Sequence, residues 1–185
     1  MLKEEQERTG KNLSVLDASS GLGYGTMALR GQTDKGEKAG FLFNVDDVEP
    51  FPADDREAGA PTYNEYAAIN KNYDVVISNA VLNVVPDDWR ANILSDMVRH
   101  LKTGGKLIIN VRDAGEIAHQ KQKIALDSPS EILVTDKGGR IRAYQKGFTQ
   151  NELENWVSGT LGNGFRVESA GKIIPEMKGM RAVVV

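Results

Sequence analysis

The chain of 185 residues carries 23 Lys plus Arg against 26 Asp plus Glu, a formal net charge of −3, and has no cysteine. That length suits one well-buried domain, the charge gives no global positive field for nucleic acid or anionic lipid, and the missing thiols exclude disulfides, thiolate metal sites and covalent catalysis through sulfur. No apolar run approaches the ~20 residues of a membrane span, and the start, MLKEEQERTGK, lacks the apolar middle of a signal peptide, so a cytoplasmic protein is expected.

In chain order, a short run from Ser14 to Leu16 stops at Asp17, and a turn containing Gly21, Gly23 and Gly25 leads into Thr26 to Arg30, which opens a helix. GFLFNVDDVEP, Gly40 to Pro50, holds a second strand that Pro50 ends, since proline cannot donate to a central ladder. Pro52 to Ala60 is polar and small, hence a loop. YDVVIS, Tyr73 to Ser78, is nearly continuous β-branched apolar sequence, which predicts a central strand covered on both faces. After Pro86, the stretch DDWRANILSDMVRHL spaces Trp89, Ile93, Leu94, Met97, Val98 and Leu101 as the buried stripe of a helix, with Asp87 and Asp88 at its positive end. The helix is predicted to stop at LKTGG, with Gly104 and Gly105 supplying a left-handed cap, and KLIINV, Lys106 to Val111, is the next buried strand.

From Arg112 the regular alternation breaks. Asp113 to Ser130 is polar and mixed, and EILVTDKGGRIRAYQ then reads as two strands around a turn at Asp136 to Gly139. Thr149 and Glu152 have capping-box spacing ahead of Leu153, Trp156, Val157 and Leu161, predicting a last helix. Phe165 to Ala170 and Arg181 to Val185 read as a closing antiparallel pair, the latter apolar enough for mid-sheet. Alternating strands and helices over the first 111 residues predict a doubly wound, mostly parallel α/β sheet. The expected organisation is one domain, with a cofactor-binding half over 1–111, a substrate cover over 112–147, and a helix and strand pair over 148–185.

The glycine loop lies at the carboxyl end of a strand, where such sheets bind ligands. Glycine serves where backbone turns with positive φ or approaches a ligand closely, although a tight turn without a ligand needs it too. A dinucleotide fingerprint would read GxGxxG, but here Thr26 stands where the last glycine belongs, and Asp17 would repel a pyrophosphate. An acid at that place suits a ligand bearing an amino or sulfonium cation.

These residues resemble the class I S-adenosylmethionine-dependent methyltransferases, whose first motif runs V-L-D-x-G-x-G-x-G. VLDASSGLG matches it from Val15 to Gly23, with Ser19 in place of the first glycine. VDDVEP resembles the second motif, in which the acid ending the second strand, here Glu49, accepts both ribose hydroxyls; Asp46 and Asp47 are rival acids. The separation of Asp17 and Glu49 is longer than usual, which marks Gly31 to Gly40 as an insertion. YDVVISNAVLNVVPDDWRANILSDMVRHLKTGGKLIINV resembles the fourth to sixth motifs, so the likeness covers Val15 to Val111. The chain is also similar to methyltransferase-like domains of bacterial mobile-element and phage proteins.

The resemblance implies a Rossmann-like, seven-stranded, mostly parallel sheet with an antiparallel C-terminal strand pair and, in this chain, an inserted β-hairpin. It implies S-adenosylmethionine as cofactor, held by Asp17, Ser19, Gly21, Gly23, Glu49 and Asn79. Methyl transfer from a sulfonium is an in-line displacement that alignment and water exclusion can largely drive, and no residue stands out as a base. Asn79 is followed by Ala80 and Val81 rather than by two prolines and an aromatic residue, which disfavours amino-group methylation of nucleic acid bases, and C5 methylation of cytosine lacks its cysteine. The expected acceptor is therefore a small molecule or a protein.

Other residues have competing explanations. Asn79 also reads as a polar strand cap, Arg112 as a surface ion pair rather than a contact to an acidic substrate, and Tyr24 and Tyr144 as packing rather than pocket cover. His100 sits where a helix C-terminus explains it, His119 reads as solvated, and the two are too far apart to suggest a metal; Thr62 to Glu65 is a candidate adenine contact. Two other function classes stay open, a non-catalytic binding or interaction module within a larger polypeptide and a nicotinamide-dependent oxidoreductase.

Overall fold

The computed structural model of the chain describes residues 2–18, 29–30, 43–48, 70–170 and 179–185, with side chains from residue 6 onward. A first helix, α1 (Leu2–Thr9), precedes β1 (Ser14–Asp17), in which Val15 and Leu16 are wholly buried. The second strand is β2 (Asn44–Asp47), and the apolar YDVVIS run forms β3 (Tyr73–Asn79) as its composition predicts. Then come α2 (Asp87–Arg99), β4 (Leu101–Arg112), a short α3 (Ala114–Ala118), β5 (Lys123–Ala125), β6 (Glu131–Thr135), β7 (Ile141–Lys146), α4 (Gln150–Leu161), β8 (Glu168–Ser169) and β9 (Met180–Val184).

Among the described residues, six strands, against the seven expected, lie in the order β2-β1-β3-β4-β9-β8. β1 pairs in parallel with both β2 and β3, whereas β9 runs antiparallel to β4 and to β8, so the apolar tail does enter the sheet between two partners. This is the expected doubly wound α/β architecture with its antiparallel terminal pair. The chain steps from β1 outward to β2 and returns on the other side of β1 to β3, which makes the carboxyl ends of β1 and β3 a topological switch point. No helix among the described residues is long and apolar enough to cross a membrane.

Two compact units share these elements. Residues Met1–Ser78 with Asp96–Leu107 form one, its core built from Leu13, Val15, Leu16, Val75, Val76 and Met97. Residues Asn79–Ser95 with Ile108–Val185 form the other, around Leu82, Leu94, Ile109, Ile132, Phe148 and Leu153. In the second unit the expected hairpin is β6 and β7, turned at Asp136, whose carboxylate accepts from the Gly138 and Arg140 N–H groups. The polar stretch before it is more ordered than its composition suggests, with α3 capped by Asp113 and β5 adding a third strand to the hairpin. The capping box at α4 forms as predicted, Thr149 accepting from Glu152 N–H and Glu152 accepting from Thr149 N–H.

Two expectations fail on α2. Trp89 is 59% exposed, and the wholly buried residue beside it is Arg90. The helix also stops before Leu101: the His100 carbonyl accepts from Tyr73 N–H at 2.8 Å, drawing the chain out of the helix to run as β4. Gly104, at φ +75°, thus turns within β4 rather than capping α2. Gly105 serves close approach instead, since a Cβ there would stand 2.9 Å from the Lys102 carbonyl oxygen and 3.1 Å from those of Tyr73 and Asp74.

Candidate functional site

Asp17 ends β1 at 4% exposure, so its carboxylate must be compensated by donors or by positive charge. The main chain here is fixed from both sides: Val48 N–H donates to the Asp17 carbonyl and Ala18 N–H to the Ile77 carbonyl, both at 2.9 Å. The segment that begins at Ser19 therefore leaves from a rigid point between β2 and β3. Ser19, Gly21, Gly23 and Glu49 lie outside the described residues, as do Tyr24, Gly25, the Gly31 to Gly40 insertion and Thr62 to Glu65.

The two rival acids of the second motif are engaged by the protein itself. Arg30 donates to the Asp47 carboxylate at 2.6 Å and to the Val45 carbonyl at 2.9 Å. Lys71 and the Tyr73 hydroxyl donate to Asp46 at 2.5 and 2.8 Å. Burial opposes ionisation of Asp46, but these two donors outweigh it and hold the carboxyl below the usual carboxylate range.

Asn79 ends β3 with its side chain exposed, two residues beyond Ile77, the partner of Asp17 in the β1–β3 register. Ala80 then takes φ +60°, a left-handed conformation rare outside glycine, and its N–H donates to the Asn110 carbonyl at 2.9 Å. Residues 81–86 follow as a tight, largely buried turn in which Asn83 is 2% exposed and its side-chain oxygen meets no partner among the described residues.

Arg90 organises this turn. Its Nε donates to the Leu82 carbonyl at 2.6 Å, one terminal nitrogen to the Val85 carbonyl at 2.8 Å, and the other to Asp87. Burial raises the pKa of Tyr144, and the nearby Arg90 guanidinium opposes that rise. Lys146 N–H reaches the Asn83 carbonyl at 2.7 Å, so β7 and Arg90 hold the same turn from two directions. Position 90 lies on the same helical stripe as Ile93, Leu94 and Met97, and that spacing is the signal by which the sequence discloses a buried arginine.

Three further candidates take these places in the fold. Arg112 is half-buried at the end of β4, its carbonyl accepting from Phe148 N–H. His100 is buried at the turn after α2, with Nδ1 3.3 Å from the Lys71 carbonyl. His119 is exposed and caps α3, Nδ1 lying 2.6 Å from the Gly115 carbonyl.

Solved structures share this fold over nearly the whole chain. An S-adenosylmethionine-dependent methyltransferase from Clostridium acetobutylicum ATCC 824 superposes with a TM-score of 0.62 at 12% identity, covering 99% of this chain and 87% of that one. DhpI in its SAH complex gives 0.60 at 18% identity, covering 92% and 74%. The glycopeptide N-methyltransferase MtfA gives 0.58 at 15% identity, covering 98% and 87%. No protein-family model matches the sequence, and no curated protein matches it.

Proposed function

From the fold this chain shares with S-adenosylmethionine-dependent methyltransferases, we propose that it binds S-adenosylmethionine at the switch point between β1 and β3 and transfers its methyl group to a small-molecule or protein acceptor. The observation that carries this reading is the buried carboxylate of Asp17 at the end of β1, followed by a segment rich in glycine. Negative charge at that strand end suits a cationic ligand, whereas a dinucleotide pyrophosphate would be repelled by it. The bound group would supply an electrophilic methyl whose bond to sulfur breaks as the bond to the acceptor forms, leaving a neutral thioether.

The chain's own residues would then bind and orient. Asp17 faces the amino end of the donor, Gly21 and Gly23 let main chain approach it, with Ser19 at the first position of that turn, Glu49 accepts the ribose hydroxyls, and Asn79 offers a carbonyl or amide at the end of β3. Engagement of Asp46 by Lys71 and Tyr73, and of Asp47 by Arg30, favours Glu49 as the ribose acid. The segment 112–147 would serve as the substrate cover, and a glycopeptide N-methyltransferase stands among the similar folds. Calorimetric titration with S-adenosylmethionine, SAH and NADH tests the reading. Binding of the first two is expected; binding of NADH alone overturns it, and donor binding with no methylation of any acceptor pool would reduce the protein to a binding module.

A further inference from the structure

The three-stranded sheet of β5, β6 and β7 lies within the second unit, and one of its strands has a bare edge. Leu126 N–H donates to the Glu131 carbonyl and Thr135 N–H to the Gln122 carbonyl, both at 3.1 Å, so the even-numbered residues turn their main chain toward β6. By the alternation of an antiparallel ladder, the N–H and C=O groups of Lys123 and Ala125 face the other way. Among the described residues no strand lies beyond β5, and Gln122, Ile124, Ala125 and Leu126 are exposed. Such an edge is a template for an added strand. We propose that it docks an extended acidic segment of a partner protein, which joins the sheet as a fourth strand beside β5.

Charge selects the partner. The contact between Gln122 and Thr135 sets the start of β5 beside the turn at Asp136, which gathers Lys121, Lys123, Lys137, Arg140 and Arg142 at one end of the sheet. Asp136 is the carboxylate there, and it serves both Arg140 and Arg142, at 3.1 and 3.0 Å. Lys123 Nζ donates to the Ala118 carbonyl, which is neutral, while Lys121 and Lys137 are exposed and meet no carboxylate among the described residues. Five cations thus share one carboxylate, in a chain whose net charge is −3. Glu131 and Asp127 lie at the opposite end of the sheet, Glu131 bonded to Lys146 at 2.7 Å. An acidic partner is the complement of this end.

The exposed large apolar side chains of this sheet and its flanks are aliphatic, Ile124, Leu126 and Ile141, with no exposed aromatic ring for a base to stack on. That composition favours a peptide over single-stranded nucleic acid. Side chains of an added strand alternate between faces, so one set meets the face that carries Lys123 and the next meets the face that carries Ile124 and its cross-strand partner Leu133. The segment that fits therefore alternates Glu or Asp with aliphatic residues. Occupancy of this edge requires no methyl donor, so the proposal stands apart from the methyl-transfer reading.

The test is fluorescence anisotropy of the full chain with a labelled peptide of repeated Glu-Val, in the absence of any methyl donor. Binding that weakens with added salt is expected, reduced about tenfold or more in Lys121→Gln/Lys137→Gln, two exposed positions at which folding is not at risk. The same peptide N-methylated throughout keeps its charge but lacks N–H donors, and its loss of binding would separate strand addition from charge attraction alone. Absence of peptide binding, unaltered affinity in the double variant, equal binding of the N-methylated peptide, or tighter binding of oligothymidylate or of phosphatidylserine vesicles each overturns the proposal.

Discussion

The guanidinium carbon of Arg90 lies 5.2 Å from the centre of the Phe148 ring, and the Trp156 ring stands 5.8 Å away on the same cation. A charge that is wholly buried survives because two carbonyls and a carboxylate meet its N–H groups while aromatic faces cover the rest. Replacing it with methionine keeps volume but orphans the Leu82 and Val85 carbonyls. Arg90→Met is expected to destabilise the protein by about 3 kcal/mol, read from denaturant unfolding, with Arg90→Lys recovering only part of the loss.

Ala80 predicts a change in the opposite direction. A left-handed residue with a Cβ costs roughly 1–2 kcal/mol, and glycine removes that strain while adding roughly 0.4–1 kcal/mol of unfolded-state entropy. Ala80→Gly should therefore stabilise by about 0.5 kcal/mol, whereas Ala80→Val should lower the melting temperature.

The acids near β2 separate the proposed ribose contact from its rivals. Glu49→Ala is expected to weaken S-adenosylmethionine binding by about 1–3 kcal/mol, roughly 5- to 150-fold, if two hydroxyl contacts are lost. Asp46→Asn removes contacts to Lys71 and Tyr73 and should change that affinity less than about twofold. A reversed ranking in calorimetry would assign the ribose to Asp46.

Asp74 gives a pH signature. Burial opposes its ionisation, but the Ser14 hydroxyl, the Lys102 ammonium and the Ser14 N–H outweigh it and carry the carboxyl down to about 2. Its folded value lies below its unfolded value of about 3.9, so its contribution to stability is complete above about pH 5 and disappears as pH falls toward 2. The difference in melting temperature between the wild type and Asp74→Asn should accordingly be constant from pH 7 to about 5 and shrink below about 4.

Gly104 and Gly105 are distinguishable by substitution. Gly104→Ala meets open space but a positive φ, and should cost about 1 kcal/mol. Gly105→Ala places a carbon against three carbonyl oxygens and should cost about 1–3 kcal/mol, read from the shift in unfolding midpoint.

Those two glycines also mark how far the sequence carries. The β3 run, the capping box of α4, the hairpin turn at Asp136 and the mid-sheet placement of the tail are all legible, because each rests on local pattern or turn chemistry. The end of α2 is not, because LKTGG satisfies a helix cap and a strand turn equally well until a distant group, Tyr73 N–H, claims the His100 carbonyl. Arg90 escaped for a related reason: hydrophobic spacing assigned the stripe to Trp89, while the aromatic partners that make arginine tolerable inside come from Phe148 and Trp156, far along the chain. At the candidate site, the position of Asp17 and Asn79 at neighbouring strand tips follows from pattern, but the engagement of Asp46 and Asp47 does not, since it depends on Lys71, Tyr73 and Arg30.

The antiparallel insertion of β9 between β4 and β8 has a kinetic consequence. Ile108 pairs with Val184, so one flank of β4 keeps bare amide and carbonyl groups until residues 180–184 have been synthesised, about 70 residues after β4 itself. A nascent chain halted before Met180 would present that flank to its neighbours as a ready template for intermolecular pairing, which makes premature termination in this region a route to aggregates rather than to a smaller working protein.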